Sequence, residues 1–225
     1  MMLDKQGIGM NMLKAIIFDL DGTLIHSAPD IQFASNEALK SINRDPLDIE
    51  TIISFIGSGS EVLVDRFIDF TGGGSEALKS EVFSTFMSIY EKNISTLTEP
   101  YPGVVDALNG FRARGLKLGI CTNKPNGLAK EICEDLDIAK YFDVIVGARA
   151  CKPKKPDTYL LETCVNALKC KPDEVRYVGD STIDFDTAMN ASIKFYLFSG
   201  GYLNKPYPDL SKCSQFENWR SIYIS

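Results

Sequence analysis

Short apolar runs alternate with amphipathic segments over most of the chain. The runs are rich in Ile, Val and Phe, as strands buried in a parallel sheet are, and they cover residues 13–19, 116–122, 142–146, 175–179 and 194–198. Segments with apolar residues at helical spacing lie between them, at 104–114, 127–136, 157–168 and 185–191. This alternation predicts an α/β protein whose core is a Rossmann-like, doubly wound parallel sheet.

The region between residues 29 and 100 has a different pattern. It contains four stretches with helical spacing, at 31–42, 49–56, 61–70 and 75–89, and no convincing strand. Glycine-rich breaks at 57–60 and 72–75 separate these helices. We therefore predict a helical cap domain, residues 28–97, inserted into an α/β catalytic core formed by residues 1–27 and 98–225.

Composition and charge narrow the class of protein. The chain has 225 residues and a formal net charge of −6, with no long basic run of the kind that binds nucleic acid. No apolar stretch suits a signal peptide or a membrane span, so no membrane partner is expected. The six cysteines form no Cys-x-x-Cys pair, which predicts reduced thiols in a cytoplasmic protein. Residues 1–11 are predicted to be a poorly ordered extension, with Met10 or Met12 as an alternative start.

Two aspartates stand at the end of the first predicted strand, in the sequence Phe18-Asp-Leu-Asp-Gly-Thr-Leu24. Alternation along an extended segment places the side chains of Asp19 and Asp21 on one side. Two carboxylates at such a short distance repel each other unless a cation or a shared proton compensates. The alternative is an ordinary strand-to-turn junction, where aspartates bond their own backbone, and the pair alone does not decide between the two interpretations.

Further polar side chains follow the other predicted strands. In an open parallel sheet, ligands bind beyond the carboxyl ends of the strands. Those positions hold Cys121-Thr-Asn-Lys124, Cys151-Lys-Pro-Lys-Lys-Pro156 and Gly179-Asp-Ser-Thr-Ile-Asp184. Carboxylates, a hydroxyl–amide pair and a lysine are therefore predicted to converge on one edge of the sheet. A cation satisfies the carboxylates, and the other groups suit a phosphoryl group, whose transfer depends on positioning and charge stabilisation.

These residues match all four motifs of the haloacid dehalogenase-like phosphohydrolases, which the sequence resembles. The resemblance implies that Asp19 attacks phosphorus to form an aspartyl-phosphate. It implies that Asp21 protonates the leaving oxygen and later deprotonates the hydrolytic water. Lys155 best fits the third motif and would neutralise charge on the phosphoryl group and on Asp19. Taken alone, the lysine run around it is equally well a solvated loop.

The same resemblance implies contacts to the phosphate. Gly22 and Thr23 would turn backbone amides toward it, as a nest does. Thr122 would bond a phosphoryl oxygen, with Asn123 beside it. Taken alone, Thr122 could equally be an ordinary strand residue.

A magnesium site is also implied by the resemblance. Asp19, the backbone carbonyl of Asp21 and Asp180 would ligate Mg²⁺, a hard cation that prefers oxygen ligands. Asp184 would orient this set of ligands through hydrogen bonds. The alternative for Asp184 is an N-cap of the following helix.

Part of the predicted cap resembles the phosphoglycolate phosphatases in particular. The segment Ile56-Gly-Ser-Gly-Ser-Glu-Val-Leu-Val-Asp-Arg66 is similar to a cap segment of that branch. Because it precedes a helix, its residues Gly57 and Ser58 offer free amides and a hydroxyl to a carboxylate, with Arg66 as the counter-charge. Lys124 is a second candidate cation facing the cap. The alternative is the start of a helix with a surface arginine.

Two positions depart from the family pattern. His26 stands where the family usually has Asp, and it is predicted to occupy a hinge or a partly exposed position rather than a catalytic one. Arg149 lies in a segment, 147–151, that lacks the acidic residues often found there, and it is expected to alter the electrostatics near the site entrance.

The leading interpretation is a Mg²⁺-dependent phosphatase that acts on a small phosphorylated metabolite, with phosphoglycolate as the first candidate. A β-phosphoglucomutase-like sugar phosphomutase, a pyrophosphatase or a nucleotidase on the same core are alternatives. The cap lacks the Thr-Arg and Glu-x-Arg signature expected of the mutases. A non-enzymatic binding protein on this fold would be expected to lack Asp19, Asp21 or Lys155. The oligomeric state is not indicated by the sequence.

Overall fold

A six-stranded parallel sheet forms the centre of the protein in a computed structural model that describes residues 12–205 and 207–224. In chain order the strands are β1 (Ala15–Phe18), β2 (Ile25–His26), β3 (Glu99–Pro100), β4 (Lys117–Pro125), β5 (Val144–Ala148), β6 (Val175–Gly179), β7 (Lys194–Phe198) and β8 (Ser214–Phe216). The sheet order is β5-β4-β1-β6-β7-β8, and every adjacent pair is parallel. This arrangement confirms the predicted α/β class.

Eight α-helices accompany the strands in the described part of the chain. They are α1 (Ala28–Ser41), α2 (Ile49–Phe55), α3 (Ser60–Phe70), α4 (Glu76–Tyr90), α5 (Val104–Ala113), α6 (Asn126–Asp135), α7 (Tyr159–Ala167) and α8 (Thr182–Asn190). Side-chain caps start several of them, since the Asp48 carboxylate accepts from Thr51 N at 2.7 Å and the Ser75 hydroxyl accepts from Leu78 N at 3.2 Å. No helix within residues 12–205 and 207–224 has the length and apolarity needed to cross a membrane.

Strand β1 lies in the middle of the sheet and is buried on both faces. It pairs with β4 on one side and β6 on the other, with Ala15 opposite both Lys117 and Val175. Because side chains alternate along a strand, Ile16 and Phe18 pack into one apolar layer and Ile17 into the other. The central position brings Asp19, the next residue, to the carboxyl edge between two neighbouring strands.

Helices α1 to α4 occupy the region predicted to be a cap. They lie in the chain between β2 and β3, which pair antiparallel, with His26 opposite Glu99. The buried Asp30 carboxylate accepts hydrogen bonds from the amides of Leu97 and Thr98 at 2.8 to 3.0 Å. The two chain segments that lead into and out of the region of α1 to α4 are therefore held side by side. The division into a core and a cap domain stays a prediction, and the predicted extension at residues 1–11 lies outside the described residues.

Three strands were not predicted from the sequence. β8 has only three residues and no buried side chain, so it lacks the apolar run that identifies a strand. β2 and β3 have two residues each, and their pairing joins positions far apart in the sequence. Such short elements are defined by tertiary contacts rather than by local pattern.

Candidate active site

Three buried aspartates meet at the carboxyl edge of the sheet. Asp19 follows β1 and Asp180 follows β6, while Asp184 lies in the first turn of α8. One carboxylate oxygen from each lies within 4.8 Å of the others. Burial and the neighbouring Asp184 charge raise the pKa of Asp19 to about 7, and burial also raises the pKa of Asp180. The cluster therefore needs positive charge to be stable with its carboxylates ionised.

Lys155 supplies one positive charge to this cluster. Its ammonium lies 2.8 Å from Asp19 Oδ1 and 2.6 Å from Asp184 Oδ1. Burial opposes the charged form, but the two carboxylates outweigh it and raise the pKa of Lys155. The Asn123 side chain fixes this lysine, since its Oδ1 accepts from Lys155 N at 2.8 Å and its Nδ2 donates to Lys155 O at 3.1 Å. The lysine is therefore held in place by both its backbone and its side chain.

The carboxylate of Asp184 is fully occupied by the protein. Its Oδ1 accepts from Lys155 and from the Tyr177 hydroxyl, the latter at 2.7 Å. Its Oδ2 accepts from the Ser181 amide and hydroxyl, at 3.2 and 2.5 Å. Ser181 Oγ in turn accepts from Asp184 N, which completes a capping box. Asp184 is thus the third residue of the capping box rather than the N-cap, and it orients Lys155.

Asp180 is held by the turn that follows β1 and by a loop after β7. Its Oδ1 accepts from the Thr23 hydroxyl and its Oδ2 from Tyr202 N, both at 2.6 Å. Gly22 has a φ of +85°, and a Cβ at this position would lie 2.3 Å from Asp180 Oδ2. Only glycine allows the turn and this carboxylate to approach so closely.

The amides of Gly22 and Thr23 are used inside the turn itself. Gly22 N donates to Ile25 O at 2.9 Å, and Thr23 N donates to Leu20 O at 3.2 Å. This corrects the expectation that they point toward a phosphate, because a tight turn consumes its own donors. Among the backbone bonds of residues 12–205 and 207–224, none uses the amides of Leu20 or Asp21. Those two amides are the free donors at the strand end.

The cluster fits a divalent cation bound by oxygen. Asp19 Oδ1 is buried and accepts no directed hydrogen bond, although Lys155 lies at ion-pair distance. When ionised, the three clustered carboxylates face one buried lysine, Lys155, which leaves an excess of two negative charges. The Asp21 side chain lies apart from the three clustered carboxylates, which leaves its backbone carbonyl as the ligand that it could offer. Oxygen ligands and this charge suit Mg²⁺.

A chamber lies between this edge and helices α1 to α4, with about 490 Å³ of empty space that includes part open to solvent. We call its core side the floor, formed by Asp19, Asp21, Thr122, Asn123, Lys124 and Pro125. We call the opposite side the roof, formed by Ile31, Ile56, Gly57, Gly59, Ser60, Leu63, Phe86 and Tyr90. The floor is mostly polar and charged, whereas the roof is mostly apolar.

Lys124 lies on the floor beside Asp21. Its ammonium donates to Asp21 Oδ1 at 3.0 Å and to the Tyr90 hydroxyl of the roof. Burial opposes its charge, but Asp21 and Tyr90 outweigh that effect and raise the pKa of Lys124. Thr122 also faces the chamber, and its hydroxyl accepts from Lys124 N at 3.2 Å. These side chains meet as the strand-end rule predicts.

The candidate residues in the segment 57–66 divide between two places. Gly57 lines the chamber, but its carbonyl accepts from Asn123 Nδ2 at 3.0 Å, so Asn123 connects floor and roof. Arg66 instead donates to Phe55 O at 3.1 Å and to the Ser58 hydroxyl at 3.3 Å, and it lines a separate cleft with Lys205. Arg66 and Ser58 therefore bond to each other outside the chamber lining, and their contact with the substrate stays a prediction.

The two departures from the family pattern also lie outside the chamber lining. His26 is in the β2–β3 ribbon, where its Nδ1 lies 2.9 Å from the Tyr202 hydroxyl and burial lowers its pKa. Arg149 is exposed just beyond β5. Sequence reasoning missed three tyrosines that contact the site, namely Tyr90, Tyr177 and Tyr202. No local motif marks them, since an isolated tyrosine at an apolar position looks like an ordinary core residue.

Comparison with known proteins adds a family match. The family model of the haloacid dehalogenase-like hydrolases matches residues 16–198. The phosphoglycolate phosphatase of Cereibacter sphaeroides is 39% identical over 199 residues, which cover 88% of this chain and 90% of that protein. The phosphoglycolate phosphatase of Rhodospirillum rubrum is 33% identical over 94% of this chain and 90% of its own length. A crystal structure described as a predicted phosphoglycolate phosphatase from Haemophilus somnus 129pt superposes with a TM-score of 0.87 at 28% identity, covering 94% of this chain and 97% of that one.

Proposed function

The chain belongs to the haloacid dehalogenase-like hydrolase family, and from this premise we propose that it is a Mg²⁺-dependent phosphatase acting through an aspartyl-phosphate. The substrate is a small phosphorylated metabolite, with phosphoglycolate as the first candidate. One observation carries the proposal: Asp19, Asp180, Asp184 and Lys155 form a single buried cluster, and it opens through Asp19 into a chamber that also contains Asp21.

The reaction has two phosphoryl transfers. An Asp19 oxygen bonds to phosphorus while the ester P–O bond breaks. Asp21 starts protonated on the oxygen that Lys124 does not hold, and it gives this proton to the departing oxygen. Asp21, now ionised, then takes a proton from a water whose oxygen attacks phosphorus. The Asp19–phosphorus bond breaks, which releases inorganic phosphate and restores both aspartates. Lys155 neutralises Asp19 as the anionic phosphoryl group approaches, and Thr122 and the free amides of Leu20 and Asp21 are donors for its oxygens.

A bound Mg²⁺ would complete the charge balance of this site. Asp19, Asp180 and the carbonyl of Asp21 would hold it, with Asp184 orienting Lys155 rather than binding the metal. When bound, the ion supplies positive charge to the phosphoryl oxygens. The excess of two carboxylate charges and the buried Asp19 Oδ1 without a directed hydrogen bond support this assignment.

The chemistry of the chamber supports a short anionic substrate. Lys124 is the single cation among the residues that line it. Helix α3 begins at the roof residues Gly59 and Ser60, and no side chain caps its first amides. A lysine together with free amides at a helix start suits a carboxylate close to the phosphate. The curated relatives named phosphoglycolate phosphatase point to the same substrate.

A phosphate-release screen over small phosphate esters, with and without Mg²⁺, tests the proposal. We expect Mg²⁺-dependent turnover with a preference for phosphoglycolate, and none by the Asp19→Asn protein. Turnover without any divalent cation, or full activity of Asp19→Asn, would contradict the mechanism. Preference for a nucleotide or a sugar phosphate would keep the mechanism and replace the substrate.

The cysteines support a proposal for the compartment in which the protein acts. All six cysteines are free, and two of them, Cys121 and Cys164, are buried side by side as thiols without forming a disulfide. Free thiols support a reducing compartment, and we propose the cytoplasm.

A further inference from the structure

The side-chain hydroxyl of Tyr90, a roof residue, reaches the floor and bonds to Lys124. It lies at the end of α4 and is 3% exposed. Its ring stacks on Phe86, with ring centroids 5.4 Å apart and an interplanar angle of 21°. Phe86 in turn packs against Phe67 of α3. This packing fixes the position of the hydroxyl.

The hydroxyl is linked to Asp21 through Lys124. The lysine ammonium donates to Tyr90 and, at 3.0 Å, to Asp21 Oδ1. The side chains of Lys124 and Asp21 are only 3% and 13% exposed. Burial raises the pKa of Tyr90 to about 12, so the phenol stays neutral and accepts from the ammonium. The chain of contacts therefore runs from the roof to the proposed acid/base residue without a gap.

We propose that Tyr90 is a positioning residue for Asp21, acting through Lys124, so that leaving-group protonation depends on a residue of the roof. This rests on the proposed phosphatase function. An ammonium on a long flexible stem has three donors and many rotamers. With two donors held by fixed partners, Lys124 keeps one arrangement, and Asp21 Oδ1 keeps one direction. Asp21 is then directed only when the roof sits against the floor as it does here.

The substitution Tyr90→Phe removes this link and little else. The ring and its stacking on Phe86 remain, while the buried Lys124 ammonium loses an acceptor. The ammonium is then free to turn, and Asp21 loses its fixed direction. The consequence is a defect in proton transfer to the leaving oxygen, not in substrate size or in the attack by Asp19.

Two substrates of nearly the same shape separate these effects. The phenolate leaving from phenyl phosphate needs a proton, whereas nitrophenolate from p-nitrophenyl phosphate leaves readily without one. kcat/KM covers binding and the transfer to Asp19 only, so the later water step does not enter. We expect Tyr90→Phe to lower kcat/KM roughly 10-fold on phenyl phosphate, since a positioned acid contributes about 10²–10⁴-fold. On p-nitrophenyl phosphate we expect a change below about 2-fold on the same reasoning.

Tyr141→Phe is the matched control. The Tyr141 hydroxyl accepts from Asn109 at 3.3 Å on the surface, and this residue does not line the chamber. It should leave both substrates unchanged. If Tyr90→Phe lowers kcat/KM equally on the two phosphates, the defect is one of packing. That result would overturn the proposal for Tyr90 but leave the proposed phosphatase function standing. A wild-type protein that releases phosphate from neither would overturn this proposal and the proposed function together.

A double-mutant cycle tests the route through Lys124. If Tyr90 acts on Asp21 only through this lysine, adding Tyr90→Phe to Lys124→Met should not lower kcat/KM on phenyl phosphate further. Additive losses in the double variant would mean that Tyr90 acts by another route, and would overturn the proposed link.

Discussion

The floor and the roof of the chamber are built on opposite principles. The floor comes from strand ends, and each of its two aspartates lies against a buried lysine, Asp19 against Lys155 and Asp21 against Lys124. The roof comes from α1 to α4 and is mostly apolar, with Tyr90 and Ser60 as its side-chain hydroxyls. A rigid charged floor suits chemistry common to many phosphate esters. An apolar roof selects substrates by shape and excludes water. We therefore expect floor variants to abolish turnover of all substrates, and roof variants to change which substrates are turned over.

The largest effect is expected from Asp19→Asn on the floor. The amide cannot attack phosphorus, so kcat should fall by at least roughly 10³-fold. The protein should remain folded, because the change removes one of several crowded negative charges. Phosphate release with p-nitrophenyl phosphate measures the first effect, and a thermal melt without metal measures the second. A variant that keeps a tenth of the activity would place the nucleophile elsewhere on the floor.

Asn123→Ala tests the connection between the two sides. This residue holds the backbone of Lys155 and also the Gly57 carbonyl. Its loss should misplace Lys155 and lower kcat by roughly 10–100-fold, as small displacements in active sites do. Steady-state kinetics measures the change.

The matched control is Asn204→Ala. The Asn204 side chain also reaches the cap region, since its Nδ2 donates to Ile53 O at 3.1 Å, but it has no hydrogen bond to Lys155. We expect it to lower the melting temperature slightly and leave kcat within about 2-fold, as a partly buried hydrogen bond is worth about 1 kcal/mol. Similar kinetic losses in the two variants would mean that any contact between core and cap region matters equally.

What the sequence predicts also differs between floor and roof. Asp19 and Asp180 follow β1 and β6, Thr122 lies near the end of β4, and Lys155 lies in the segment after β5. Because the carboxyl ends of parallel strands meet at one edge of a sheet, the pattern of strands was enough to bring these residues together. The roof lacks such a rule. Arg66 and Tyr90 are both on helices of the predicted cap. Only the packing of those helices decides that Arg66 bonds to the end of α2 while Tyr90 enters the chamber. Helix packing angles cannot be read from a single amphipathic pattern.

Magnesium should stabilise the floor in a pH-dependent way. The pKa of Asp19 is raised from 3.8 to about 7 in the folded protein. Between these values the unfolded chain is ionised while the folded site holds a proton, so the metal-free protein loses stability as the pH rises through this window. Mg²⁺ needs the ionised form. The stabilisation of the folded protein by Mg²⁺ should therefore be larger at pH 8 than at pH 6. The difference should be about 1.4 kcal/mol, because at pH 6, one unit below the pKa of Asp19, a proton competes with the metal.

Differential scanning fluorimetry at both pH values, with and without saturating Mg²⁺, measures this difference. At a concentration of 100 Kd the ion should contribute about 2.7 kcal/mol at pH 8. Asp180→Asn serves as the control, since it lacks a proposed ligand and should show little response. The same Mg²⁺ shift at both pH values would mean that Asp19 is not among the ligands.

The smallest effect is expected from Arg66→Ala, although the sequence motif around it suggests a substrate contact. Its guanidinium is exposed, bonds to Phe55 O and the Ser58 hydroxyl, and lines a cleft separate from the chamber. Loss of these exposed contacts should change KM for phosphoglycolate and for p-nitrophenyl phosphate by less than about 2-fold each, as expected of surface interactions. Lys124→Met, which removes the chamber's lining cation, should instead raise KM for phosphoglycolate more than for p-nitrophenyl phosphate. A selective rise of KM for phosphoglycolate in Arg66→Ala would show that the 57–66 segment turns inward with substrate, and the roof would then carry charge after all.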